Sequence, residues 1–170
     1  KILSANRGPL FSADDVVKKI YRNNTLKKII SKKFSLNKTA NLKKLLKKKI
    51  SKDKKNIQKL EKIIHPLVRK EMRKFLKKNA NRRFVFLEIP LLIESNLMNL
   101  FDVIFYIKAK KSIRLKRFIL KGGKKSIFNI LNLKQLNDEK KVKYCEHVIV
   151  NEKNIKILKK KLLVIFKKYE

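Results

Sequence analysis

The chain contains no tryptophan, one cysteine, three glycines and three prolines in 170 residues. With a single thiol, Cys145, no intrachain disulfide can form, and there is no C-x-x-C pair for metal or redox chemistry; this fits a reducing cytosol. No apolar run approaches the roughly 18–20 residues that span a bilayer, and no secretory signal is visible. No linker divides the chain and no internal repeat is apparent. Acid is scarce as well: 13 Asp+Glu against 48 Lys+Arg give a net charge of +35. Only eight of those 48 are arginine, and asparagine and isoleucine are abundant beside lysine. That excess follows the codon drift of an AT-rich genome, so the charge favours polyanionic partners only in a general way. Most of the lysines are expected on solvent-facing helix surface.

What is present is an apolar fraction of 44%, enough for one domain with a real core. Its densest stretch is F-V-F-L-E-I-P-L-L-I-E at residues 84–94. Phe84 to Leu87 suit a strand buried on both faces, as in a parallel sheet. Glu88 then breaks the run and Pro90 removes a backbone donor, so the strand is expected to stop there. A second buried strand is expected over Phe101–Ile107 and a third over His147–Val150. Leu10-Phe11 reads as a short strand that enters an acidic turn, with Asp14 or Asp15 capping a helix from Val16.

Between these runs the spacing is helical. Lys1–Asn6 reads as the tail of a helix stopped by Gly8-Pro9. Leu26, Ile29, Ile30 and Phe34, then Leu42, Leu45, Leu46 and Ile50, mark amphipathic helices. Ser51 is placed as the cap of the next, which His65-Pro66 interrupts before a further helix carries Leu67 to Leu76. Ser112–Leu120 and Ser126 to about Leu136 are helical, separated by Gly122-Gly123. Asn154 opens a C-terminal helix. The order, strands alternating with helices, predicts an α/β fold with a parallel sheet and a helical insertion after the first strand.

Asp14, at a strand end before a helix, lies where open α/β sheets bind ligands. A carboxylate there suits proton acceptance from a hydroxyl, or else an N-cap. His65 is a candidate ligand or a structural turn residue. Arg114, Arg117 and Lys121 share a helix face that could clamp phosphates or simply be solvated. Glu88 is a strand-end acid with the same two readings. Gly122-Gly123 lacks the spacing of a phosphate loop.

Taken in order, S-A-D at 12–14, I-H-P-L-V-R at 64–69, I-P-L-L-I-E at 89–94, R-L-K-R at 114–117, Gln135 and V-I-V-N at 148–151 resemble the dephospho-CoA kinase family. The resemblance implies a three-layer, P-loop NTPase-like core with a parallel sheet. It implies one kinase-like domain over 1–170, with a helical substrate-binding insertion at about 22–80 and a lid at about 112–136. It further implies phosphoryl transfer from ATP, with Mg²⁺, to the 3′-hydroxyl of dephospho-CoA in the cytoplasm, the last step of coenzyme A synthesis. Asp14 matches the family's catalytic aspartate, although the first acid of its D-A-D motif is Ser12 here. His65 and Arg69 match the segment beside dephospho-CoA, and Glu88 an acid near the Mg²⁺ water shell. Arg117, Lys121, Gln135 and Asn151 fall on the lid and nucleotide side, Lys121 standing where the family has an arginine. The G-x-x-G-S-G-K-[ST] loop that opens such kinases does not occur in these residues, nor does the strand before it, so a chain truncated at its start, or an inactive one, is expected. The alternatives are a basic RNA-binding protein and another small-molecule or nucleoside monophosphate kinase.

Overall fold

In the computed structural model, which describes residues 1–36, 42–53 and 55–170, the chain divides into two compact units. The first, Asn6–Ile89, is built on strand β1 (Leu10–Ser12) and strand β2 (Phe86–Glu88). They pair in parallel, with Leu10 opposite Phe86, Phe11 opposite Leu87 and Ser12 opposite Glu88. Parallel neighbours need a long crossover, and among the described residues four helices supply it: α1 (Ala13–Ile20), α2 (Asn24–Lys33), α3 (Leu42–Lys52) and α4 (Lys55–Lys78).

Each helix start has a local cause. Ser12, rather than Asp14 or Asp15, caps α1 by accepting from the Asp15 amide. Both aspartates sit in the first turn, where negative charge suits the helix dipole. Asn23 caps α2 through the Leu26 amide. The helical core is apolar and local: Leu26, Ile30, Phe34, Leu46 and Ile64 are buried together. Ser51 falls inside α3 instead of capping the next helix, and its side chain lies outside the described residues.

Helix α4 departs most from expectation. It runs 24 residues straight through Pro66. Its buried residues Ile57, Ile64 and Met72 recur every seven or eight positions on both sides of the proline. That continuous packed stripe outweighs the lost backbone donor and the local steric conflict of the ring. Phe75, near its end, packs on Phe11 of β1 with ring centroids 5.5 Å apart. Gly8 permits the close approach that starts the sheet: a Cβ there would lie 2.2 Å from the Phe84 carbonyl oxygen. Strand β2 is shorter and less covered than its sequence implies, with Phe86 and Leu87 half-buried and Glu88 exposed. Phe84 and Val85 stay outside it; the Phe84 ring stacks under the Arg83 guanidinium and beside Phe86.

The second unit comprises Lys1–Ala5 and Pro90–Glu170. Residues 2–7 form turns instead of a helix, closed where Asn6 adopts a left-handed φ of 61°. A short 3-10 turn (Met98–Leu100) precedes strand β3 (Phe105–Lys108), which begins four residues later than expected. Then come α5 (Lys111–Leu120), α6 (Lys125–Leu133), the unforeseen α7 (Asp138–Val142), β4 (His147–Val150) and α8 (Ile155–Phe166). Strands β3 and β4 are parallel, Phe105 opposite His147 and Lys108 opposite Val150. Ile149, Leu158 and Leu162 form the buried core beneath them, joined by Ile2, Leu3, Phe105 and Ile165. Asn154 caps α8 through the Ile157 amide, as expected. The parallel strands with crossover helices bear out the α/β class.

Candidate functional site

The carboxyl ends of β1 and β2 lie side by side because Ser12 and Glu88 are register partners. Asp14 follows two residues after Ser12, exposed, on the first turn of α1. Glu88 is exposed as well. Lys18, one turn further on, bonds Asp15 at 2.7 Å. That bond holds its ammonium above the ordinary value, with Asp14 and Glu88 adding smaller pulls in the same direction. The expected pair of strand-end acids is thus within electrostatic reach of one lysine.

On α4 of the same unit, Gln58, Glu61, Lys62, His65, Pro66, Arg69 and Arg73 line an open groove of about 640 Å³. Their spacing of three and four residues places them on one helix face. His65 is half-buried, while Arg69 and Arg73 are exposed. Residues 65 and 69 therefore come together as their motif implies, and Arg73 extends the set by one turn. Among the described residues no cluster of three or more His, Cys, Asp or Glu side chains suits a metal ion.

In the second unit the basic face of α5 is largely turned toward protein acceptors. Arg114 donates to the Ala109 carbonyl (3.2 Å) and to Gln135 Oε1 (3.1 Å). Arg117 donates from Nη1 to the Asn151 carbonyl (2.9 Å) and from Nη2 to the Lys153 carbonyl (3.2 Å). The Asn151 amide returns to the Lys108 carbonyl at 2.7 Å. The loop after β4 is thereby braced from two sides. Lys121, at the end of α5, stays exposed. Gly122 there takes a φ of 78°.

Sequence reasoning missed the polar network beside β3. Lys141 is 5% exposed and bonds Glu94 Oε1 at 2.9 Å. The same oxygen accepts from the Leu136 amide at 3.0 Å. The Tyr106 hydroxyl donates to Asp138 at 2.7 Å, and Lys108 lies 3.5 Å from the other Asp138 oxygen. Burial, followed by the Asp138 contact, pushes the Tyr106 phenol up. Burial works upward on Asp138 too, but the Tyr106 hydroxyl and Lys108 outweigh it and hold the carboxyl low. Burial and the neighbouring Glu146 raise the Cys145 thiol. One signal for α7 was legible: Asn137 before Asp138-Glu139 is a cap followed by an acidic first turn. Lys141 itself had no signal among so many lysines.

The family model for dephospho-CoA kinase matches residues 1–156. The chain belongs to the dephospho-CoA kinase family. As a dephospho-CoA kinase family member it is a phosphotransferase of coenzyme A synthesis, which displaces the RNA-binding alternative. A dephospho-CoA kinase of Bartonella henselae is 30% identical over 164 residues, covering 93% of this chain and 84% of the relative. One from Zymomonas mobilis is 31% identical over 160 residues, covering 91% and 81%. Among solved structures, a Thermus thermophilus protein superposes with a TM-score of 0.70 at 21% identity, covering 98% of this chain and 87% of that one. The dephospho-CoA kinase from Campylobacter jejuni gives 0.61 at 24% identity, covering 94% and 84%. At that identity the superpositions speak for the kinase fold alone.

Proposed function

We propose that this protein moves the γ-phosphoryl group of ATP to the ribose 3′-hydroxyl of dephospho-CoA, in the cytoplasm. The reading is supported above all by one juxtaposition: the unit that carries Asp14 and Glu88 at adjoining strand ends also carries the α4 groove with His65 and Arg69. Phosphoryl transfer needs little covalent help from the protein; positioning and electrostatics supply most of the barrier reduction. Asp14 accepts a hydrogen bond from the 3′-hydroxyl, aims its lone pair and takes its proton as the bond to phosphorus forms. His65 and Arg69 hold dephospho-CoA, with α2–α4 within the 22–80 insertion as its substrate-binding part.

The nucleotide side is assigned to Arg117, Lys121, Gln135 and Asn151, with residues 112–136 as the lid. Arg117 acts by bracing the Asn151–Lys153 loop, and Gln135 by fixing Arg114. Of Arg114, Arg117 and Lys121, Lys121 is the exposed one, and as an ammonium it offers a point charge without a guanidinium's two-pronged fit. Asp14 and Glu88 fit Mg²⁺, a hard cation that keeps most of its waters and takes one or two carboxylates plus substrate phosphates. Glu88 would hold it through a water. When bound, the ion neutralises charge on the phosphate oxygens.

The test uses protein from the full reading frame, with whatever is encoded before Lys1. Dephospho-CoA and Mg-ATP are expected to yield ADP and coenzyme A, while nucleoside monophosphates in place of dephospho-CoA yield little ADP. Asp14→Asn is expected to lower kcat about 100-fold or more, with the KM for ATP little changed. An Asp14→Asn enzyme with full turnover removes Asp14 from this role, and a preference for nucleoside monophosphates sinks the substrate assignment.

A further inference from the structure

We propose that Arg73 is a binding residue for the diphosphate of dephospho-CoA, and that the substrate runs along α4 with its pantetheine arm toward Gln58. This rests on the reading of α4 as the substrate helix. Three observations carry it. The groove is lined by cations at Lys62, Arg69 and Arg73, with Glu61 its one acid. Arg73 is exposed and makes no ion pair among the described residues. Phe75, two residues beyond it, packs on Phe11 of β1, so the Arg73 end of the groove is the end at the sheet.

The chemistry of the substrate does the rest. At neutral pH the only anionic group of dephospho-CoA is its diphosphate; adenine, ribose and pantetheine are uncharged. Two arginines four residues apart stand about 6 Å apart along a helix axis, on one face. Their guanidinium groups, on long side chains, converge on a diphosphate and match its oxygens in pairs. The ribose is joined directly to that diphosphate. With the ribose at the β1 end beside Asp14, the diphosphate falls on Arg69 and Arg73. The uncharged pantetheine then continues past His65 and Pro66 toward Lys62 and Gln58. Glu61 stands at that far end, away from the phosphate charge.

The shared ligand chemistry, phosphate oxygens, also belongs to ATP, so the assay separates the two. Initial rates of the full-length enzyme are measured against dephospho-CoA at saturating ATP, and against ATP at saturating dephospho-CoA. Arg73→Ala is expected to raise the KM for dephospho-CoA about tenfold, with kcat and the KM for ATP changed less than about twofold. Arg73→Lys recovers part of the loss. Lys74→Ala, which removes an exposed neighbour paired with Glu71, leaves both KM values alone and so controls for the general positive field. An unchanged KM for dephospho-CoA in Arg73→Ala overturns the inference. A KM for ATP that rises by the same factor does so too, as does an equal effect from Lys74→Ala. Wild-type enzyme without dephospho-CoA turnover overturns the kinase reading itself, a distinct result.

Discussion

Lys141→Met isolates the Glu94–Lys141 pair. Lys141 and Glu94 side chains are 6% and 13% exposed, so water screens the pair little. Methionine keeps most of the volume of lysine and removes its charge. Among the described residues Glu94 is then left with a single donor, the Leu136 amide. Removing one partner of a buried pair costs about 3–5 kcal/mol, chiefly because the other charge stays buried without compensation. The exposure of Glu94 places the expected loss near the lower end, about 3 kcal/mol. The cation over the Tyr106 ring, 5.6 Å from its centroid, is lost as well. For a chain of this size that corresponds to a fall of roughly 10 °C in Tm. The double variant Glu94→Leu with Lys141→Met removes both charges and is expected to regain most of the loss, since well-packed apolar replacements of such pairs are often neutral. Urea denaturation of all four proteins closes the cycle. A single-variant loss below about 1 kcal/mol, or a double variant no better than the sum of the two singles, would refute the reasoning.

Gly8→Ala places a methyl group 2.2 Å from the Phe84 carbonyl oxygen, backbone that cannot rotate away; a loss of about 2 kcal/mol is expected by urea denaturation. The Tyr106–Asp138 contact makes stability depend on pH at both extremes. Asp138 titrates below its ordinary 3.8 in the fold, so its contribution is complete above that value and is lost as pH falls through the lower folded one. Tyr106 titrates above its ordinary 10.0, so its contribution is present below pH 10 and is lost as pH rises beyond it. Tyr106→Phe should flatten both limbs in pH-dependent melting curves; unchanged limbs would show that the hydroxyl does not link them.

The strands were legible where an apolar run is bounded sharply. His147–Val150 stands between charged residues and Asn151, and the structure has a strand over those same four residues. The parallel pairing followed from the helices that separate the strands. Helix starts were less legible, because several polar residues near each start compete for the cap: Ser12 won over Asp14 and Asp15 by lying where its hydroxyl meets the Asp15 amide. At His65-Pro66 a strong local rule lost to packing spread over 24 residues. Asp14, Glu88, His65 and Arg69 were recognisable as motif residues, and two of them share a groove. The turning of Arg114 and Arg117 toward carbonyls was not legible, because their acceptors come from loops 5 to 36 residues away. The buried Lys141 stayed hidden for a related reason: in a lysine-rich chain, sequence alone does not tell a committed ammonium from a solvated one.

Pro66 lies on the groove face of α4 and has no backbone N–H to offer. The carbonyl of Lys62, a groove residue one turn earlier, therefore lacks the backbone donor that an unbroken helix would supply. The helix is one rung short there, and the Pro66 ring occupies the space in which that donor would stand. Pro66→Ala would repair the ladder from within and leave that acceptor occupied. The repaired protein is expected to melt higher, so the groove carries its proline at a cost to the helix that lines it.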